Sequence, residues 1–326
     1  MRRVPRMAAV WAALALTACA ATLGPPQPSL SEGDGWTFAP AELKAVGLGL
    51  PGAVLAPEVR FAGGVEIVAG LGSPLHGLSD LKLTGDGGFV AVSDAGDLVR
   101  GALRLDAQGR LVGVDRLASR RLTLENGQPI ADKLDGDAEG LALTRSGDLL
   151  ISFERRHRIW NYGPLAALRS PMPVSSPDAV FPDNEGMEGL AAVHSAQADG
   201  WRALGEGGGV WDCTARRCEG VVPPPAEAPK DSDYRSTGLD RDPSRQGWFV
   251  VERRYTPPFD MRGRVRRLSP DGTLGPVLIE LKLPGTTDNF EGVAAEQRGQ
   301  TTRLYLLSDD NANPAQRTLL LAFDIR

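Results

Sequence analysis

Acidic side chains recur in this chain at matching places of a repeated outline. Five stretches share an opening: GLSDLKL from Gly77, EGLALT from Glu139, EGLAAV from Glu188, TGLDRD from Thr237 and EGVAAE from Glu291. Ser79, Glu139, Glu188, Thr237 and Glu291 stand at those openings. The apolar run that follows ends each time on an acid, namely Asp94, Glu154, Glu206, Glu252 and Asp309, with Asp310 and Asn311 next in line. Carboxylates brought together repel one another, and their pKa values rise unless positive charge compensates. One expected compensator is a hard cation. Ca2+ takes about six to eight oxygen ligands and tolerates irregular geometry, and Asp94, Glu139, Glu154, Glu188, Glu252, Glu291 and Asp310 form the predicted pool. The other is arginine. Arg155 and Arg156 follow Glu154, and Arg253 and Arg254 follow Glu252, where they could neutralise the acids or clamp a substrate's phosphate or carboxylate. Glu139, Glu188 and Glu291 are the predicted catalytic residues. His76, just ahead of the first opening, is expected to face the same mouth as a base or donor. A plainer role for the Glu-Gly steps is to tie neighbouring units together through backbone amides.

These residues can meet only if the repeat closes on itself. The openings fall about 50 to 60 residues apart, the spacing of propeller blades rather than of helical repeats. Each unit holds short runs rich in Val, Ile, Leu and aromatics between Gly, Pro and Asp turns, and no helical period is sustained. In the second unit LALT and DLLISFE flank the turn Arg145-Ser146-Gly147, and RIWNY supplies a third strand; Leu165 to Arg169 suggests one helical turn. The sequence predicts an all-β β-propeller of five or six four-stranded blades. The segment Val65–Val68 is expected to pair with the last unit, closing the ring and removing two exposed sheet edges. A β-sandwich would leave the return of the same opening unexplained.

Several function classes are disfavoured. No G-x-S-x-G elbow, P-loop or dinucleotide fingerprint occurs. The net charge is −5 with both signs interspersed, and no basic stripe tracks a phosphate backbone, which argues against nucleic-acid binding. The expected partner is a small anionic ester.

The chain contains three cysteines. Residues 1–18 read as a signal peptide, with Arg2, Arg3 and Arg6 ahead of a short apolar run from Ala8 to Leu16 that is too short to span a bilayer. Leu16-Thr17-Ala18-Cys19 resembles the lipobox of bacterial lipoproteins, which implies a lipid on Cys19. Residues 19–35, with Pro25, Pro26 and Pro28, read as a lipidated Cys and flexible tether, and residues 36–326 as the propeller domain. Ala20 does not resemble a known inner-membrane retention pattern. The expectation is an exported, periplasm-facing protein held by its lipid alone, at the outer membrane. Cys213 and Cys218 are expected to form a disulfide in that oxidising compartment; a zinc site needs about four ligands, and no histidine is near.

The steps DAEGLAL (137–143), NEGMEGLAAV (184–193) and DNFEGVAA (288–295), with GLSDL, VSDAGD and the closing LLSDDN, resemble the phytase-like family, esterase-like activity of phytase. The likeness runs from about residue 60 to the end. It implies a propeller of exported bacterial proteins that hydrolyse phosphate or other esters. By that resemblance Glu139, Glu188 and Glu291 match the recurrent Glu-Gly positions, and Asp94, Glu154, Glu252 and Asp310 the acidic strand ends. Thr237 departs from the pattern. A metal-dependent phosphate-ester hydrolase is the leading expectation; a lactonase-like hydrolase and a non-catalytic binding propeller are the alternatives.

Overall fold

The computed structural model describes residues 35–49, 51–194, 199–230, 232–256 and 260–326. The signal segment, Cys19 and the tether up to residue 34 lie outside them. The β-rich runs of each repeat form antiparallel sheets of consecutive strands. The first sheet holds Leu78–Leu83, Gly88–Ser93, Asp97–Leu105 and Leu111–Arg121. The second holds Ala138–Leu143, Asp148–Phe153, Arg158–Pro164 and Met172–Val174. The third holds Gly189–His194, Asp199–Leu204, Val210–Thr214 and Cys218–Val222. Arg235–Arg241, Trp248–Thr256, Asp260–Leu268 and Leu274–Lys282 make the fourth, with Ala53–Leu55 on its outer edge. The last group begins with Asn289–Arg298, Thr301–Asp309 and Thr318–Ile325 and is completed by Val59–Ala69; a single parallel bridge between Gly63 and Leu111 links it to the first group, so that the two share one ten-stranded sheet. The expected pairing is there: Val65 stands opposite Leu320, Glu66 opposite Leu319 and Ile67 opposite Thr318.

The first strand of each sheet packs beside the first strand of the next, and the last of these returns to Leu78–Leu83, so the inner strands close a ring. The fold is all-β and propeller-like. Between adjoining sheets lie apolar clusters, each anchored by the aliphatic residue two places after a repeat opening: Leu81, Leu141, Leu190, Leu239 and Val293. All five are fully buried, and each such side chain contributes roughly 1.5–3 kcal/mol of burial. The glycine that follows the opening residue has a steric reason. A Cβ on Gly140 would come within 2.6 Å of the Glu188 carbonyl oxygen, and one on Gly238 within 2.1 Å of that of Glu291. Neighbouring inner strands therefore approach too closely there for any side chain.

Helix is scarce. Leu165–Ala167 forms one 3-10 turn within the stretch where a helical turn was expected. A second short helix, Lys133–Gly136, was not expected; Asp132 caps it by accepting a hydrogen bond from the Asp135 amide. Cys213 and Cys218 face each other across paired strands and are joined as a disulfide.

Candidate functional site

The repeat openings owe their inward aim to a shared irregularity. In four of the sheets the pairing of the first two strands slips by one residue at the opening: between Leu78 and Asp80, opposite Ile151 and Phe153, between Ser236 and Gly238, and between Phe290 and Gly292. Such β-bulges leave an extra residue unpaired and re-aim its side chain. Ser79, Thr237 and Glu291 are the extra residues in their sheets, and Glu139 and Gly140 lie in the bulge of theirs. The partner strand then delivers its own residue one step beyond the bulge. Asp94, Glu154 and Glu206 each donate their amide to the carbonyl of the segment leading into the opening, at Gly77, Asp137 and Gly186.

Except for Thr237, whose hydroxyl donates to the Phe290 carbonyl at 2.9 Å, these side chains meet in one cavity of about 150 Å3. It is lined by Asp94, Asp137, Glu139, Glu154, Glu188, Glu206, Glu291 and Asp309, eight carboxyl groups, against two cationic side chains, Lys133 and Arg253. Ser79, Asn184 and Asn311 complete the wall. The predicted catalytic trio Glu139, Glu188 and Glu291 is thus brought together, although the residues lie far apart in sequence. All three are buried, at 9%, 5% and 5% exposure.

Register explains which other expected residues arrive. In the fourth sheet Arg253 stands opposite Arg235 and Glu252 opposite Ser236. Arg253 therefore occupies the place that Asp94, Glu154 and Glu206 hold in their sheets. Glu252 points the other way, as alternate strand residues must, and its carboxylate is clamped by Arg264 at 2.7 and 2.9 Å. In the last sheet it is Asp309, opposite Asn289, that lines the cavity. Asp310 is outside the lining; it binds His76 Nδ1 at 2.6 Å and accepts hydrogen bonds from the Gly77 amide and the Thr318 hydroxyl. His76 is committed to that pair, and its other ring nitrogen faces the Gly70 carbonyl at 3.0 Å. Arg155 stands at the rim, bonded to Asp137 at 2.5 Å and Asn184 at 3.2 Å. Arg156 pairs with Asp135, and Arg254 with Asp260 at 2.6 Å; neither lines the cavity. Lys133, Asp137 and Asn184 escaped the sequence reading because they belong to connections between units rather than to the repeated outline.

The electrostatics follow from this crowding. Burial, reinforced by neighbouring carboxylates, pushes Glu139, Glu188 and Asp309 well above the usual carboxylate range. Glu154 is raised to about 7, chiefly by burial and then by Asp137 and Glu206, against a hydrogen bond with Glu188 that lowers it. Glu291 is raised to about 7 by burial, with Arg253 and Asn289 opposing. Burial also raises Asp94 and Glu206. Arg253 reaches Glu206 at 3.2 Å and Glu291 at 3.5 Å.

The donor set suits a hard cation. One oxygen each from Asp137, Glu139 and Glu154 lie within 4.8 Å of one another, and so do oxygens of Glu154, Glu188 and Glu206. Glu154, shared by both groups, has its Oε1 buried and without a hydrogen-bond partner among the described residues. An unsatisfied buried oxygen is costly, and a cation among these carboxylates would satisfy it.

A family model described as phytase-like, esterase-like activity of phytase, matches residues 73–312. Similar solved structures include the major allergen Mala s 1 of Malassezia sympodialis, at 14% identity over 82% of this chain and 90% of that one, TM-score 0.44. Another is a protein proposed to be a gluconolactonase, at 15% identity over 89% of this chain and 95% of that one, TM-score 0.44. A glucose dehydrogenase is similar at 15% identity over 86% of this chain and 98% of that one, TM-score 0.39. No curated protein matches the chain.

Proposed function

From the premise that the chain belongs to the phytase-like family, esterase-like activity of phytase, we propose that it is a divalent-cation-dependent ester hydrolase acting at the acidic cavity, with Ca2+ as the cation and a phosphate ester as substrate. The observation that carries this reading is the excess of carboxyl groups: eight acids share one cavity with two cations. Glu139, Glu154 and Glu188, with Asp137 or Glu206 beside them, would hold the ion. A bound divalent cation supplies an acidified water and takes up charge on the ester oxygens. The protein's own part is positioning and proton handling. Glu291, raised to about 7, can accept or release a proton near neutral pH, where general acid–base catalysis is most effective. The Arg253 guanidinium, buried between Glu206 and Glu291 with an Nε that makes no hydrogen bond among the described residues beyond its 3.5 Å ion pair with Glu291, would favour an oxygen that gains negative charge.

One observation favours a second substrate class. Of the four arginines expected at the mouth, only Arg253 lines the cavity; Arg155, Arg156 and Arg254 are bound to Asp137, Asp135 and Asp260. A lactone or carboxylic ester needs fewer cationic contacts than a phosphate, so the same carboxylate-held cation would serve a lactonase. Parallel assays decide between them. Phosphate release that requires Ca2+, stops on chelation and falls at least about a hundredfold in Glu188→Gln supports the first reading. Lactone opening with the same dependence supports the second. Turnover undiminished by chelation overturns both.

The ring is read as five blades, with Val59–Ala69 completing the last. The chain is further proposed to be exported and anchored through a lipid on Cys19, in keeping with the disulfide between Cys213 and Cys218. A mass shift of the mature protein that disappears in Cys19→Ala tests the anchor.

A further inference from the structure

Lys133 differs in origin from the sheet-borne acids of the cavity. Glu139, Glu154, Glu188, Glu206, Glu291 and Asp309 come from the sheets or their immediate ends. Lys133 comes from a four-residue helix in the connection between the first and second sheets. Its ammonium lies 2.5 Å from Asp94 Oδ2 and 3.0 Å from Asp137 Oδ1. Those acids end the second strand of one sheet and precede the first strand of the next. Asp137 also belongs to the group of carboxylates whose oxygens converge within 4.8 Å. The Lys133 side chain is 49% exposed, so it leans over the rim rather than being locked in the wall. Arg253, at the opposite charge cluster, is held within its own strand and between Glu206 and Glu291.

We propose that Lys133 is a built-in counterion that competes with a divalent cation for the Asp94–Asp137 side of the cavity and so sets the affinity of the site. This rests on the cation-binding reading above. A lysine amine is ordinarily charged at neutral pH, and this one lies against two acids that favour the charged form. A fixed positive charge beside converging carboxylates opposes the entry of a second one by Coulomb repulsion, and it occupies an Asp137 oxygen that an incoming ion would otherwise take. The lysine must swing outward as the ion binds, and its exposed half leaves it free to do so.

The test is calorimetric titration of Ca2+ into the purified chain, its Lys133→Met variant and its Lys133→Arg variant, each stripped of metal. Lys133→Met should bind about ten- to a hundredfold more tightly, and Lys133→Arg should stay near the parent value. The rise in melting temperature on adding Ca2+ should be larger for Lys133→Met. Binding by the parent with equal or weaker binding by Lys133→Met overturns the counterion role and leaves the cation site standing. Binding by Lys133→Met alone supports the counterion role and removes the cation from the parent's function. No binding by any of the three overturns both.

Discussion

Stripped of cations, the protein should lose stability as pH rises through the range where its cavity acids ionise. Glu154 and Glu291 are each held at about 7 against an ordinary 4.5. Below about pH 4.5 both are protonated in folded and unfolded chains alike, and the difference vanishes. Between there and about pH 7 the unfolded chain has released protons that the folded chain keeps. The folded state then binds more protons, and stability falls with increasing pH. Above about pH 7 the loss is complete. At about 1.4 kcal/mol per unit, either residue alone costs about 3 kcal/mol. The two share part of the same repulsion, so their joint cost is less than twice that. For a domain of this size about 3 kcal/mol lowers the melting temperature by roughly 5–10 °C. His76, raised by its bond to Asp310, adds a loss of the same sign above its ordinary 6.5, so a variant is needed to separate them. Scanning calorimetry at pH 5, 6, 7 and 8, with chelator and then with Ca2+, measures the slope. Glu154→Gln should flatten it, and Ca2+ should restore the melting temperature above pH 7. A chelated protein whose melting temperature holds or rises from pH 5 to 7.5, or a Glu154→Gln variant with the parent's slope, refutes this account of the cavity.

Three further outcomes follow from the geometry. Glu252→Gln should cost about 2–4 kcal/mol, because it strips Arg264 of its partner in a buried pair, while Ca2+ affinity measured by titration stays within about twofold. His76→Ala should lower the melting temperature most below pH 6.5, where the imidazolium–Asp310 pair is intact, and least above its raised pKa, as a pH series of thermal melts will show. Gly140→Ala should cost at least about 2 kcal/mol in a denaturant titration, because its Cβ would meet the Glu188 carbonyl oxygen at 2.6 Å.

The repeat made the all-β, propeller-like fold and the meeting of Glu139, Glu188 and Glu291 in one cavity legible. Each opening pairs a polar residue, which lines the cavity in every unit but that of Thr237, with an aliphatic one two places on that seals adjoining sheets. The errors at strand ends are errors of one residue. Glu252 looks like the acidic terminus of its strand, yet the bulge between Ser236 and Gly238 brings Arg253 to the equivalent position. Asp309 and Asp310 are adjacent acids, and only pairing opposite Asn289 shows which one lines the cavity. Side-chain direction alternates along a strand, so a bulge that leaves little trace in composition reverses the assignment. Arg155, Arg156 and Arg254 misled for another reason. An arginine after an acid suggests a substrate clamp, but these three are bound to Asp137, Asp135 and Asp260. Lys133 and Asp137 lie outside the repeat altogether, and no periodicity marks them.

The seam between Val59–Ala69 and Thr318–Ile325 sets an order of events. A ribosome finishes the first of these strands some 250 residues before it reaches the second. Until the later segment emerges, the early strand has no native neighbour on that side. Closure is therefore one of the longest contacts in sequence, which slows folding. A fragment lacking its final eight-residue strand would lose the seam even with every cavity carboxylate present. Molecules cut short at the carboxyl end should consequently expose a raw sheet edge and invite capture by other chains.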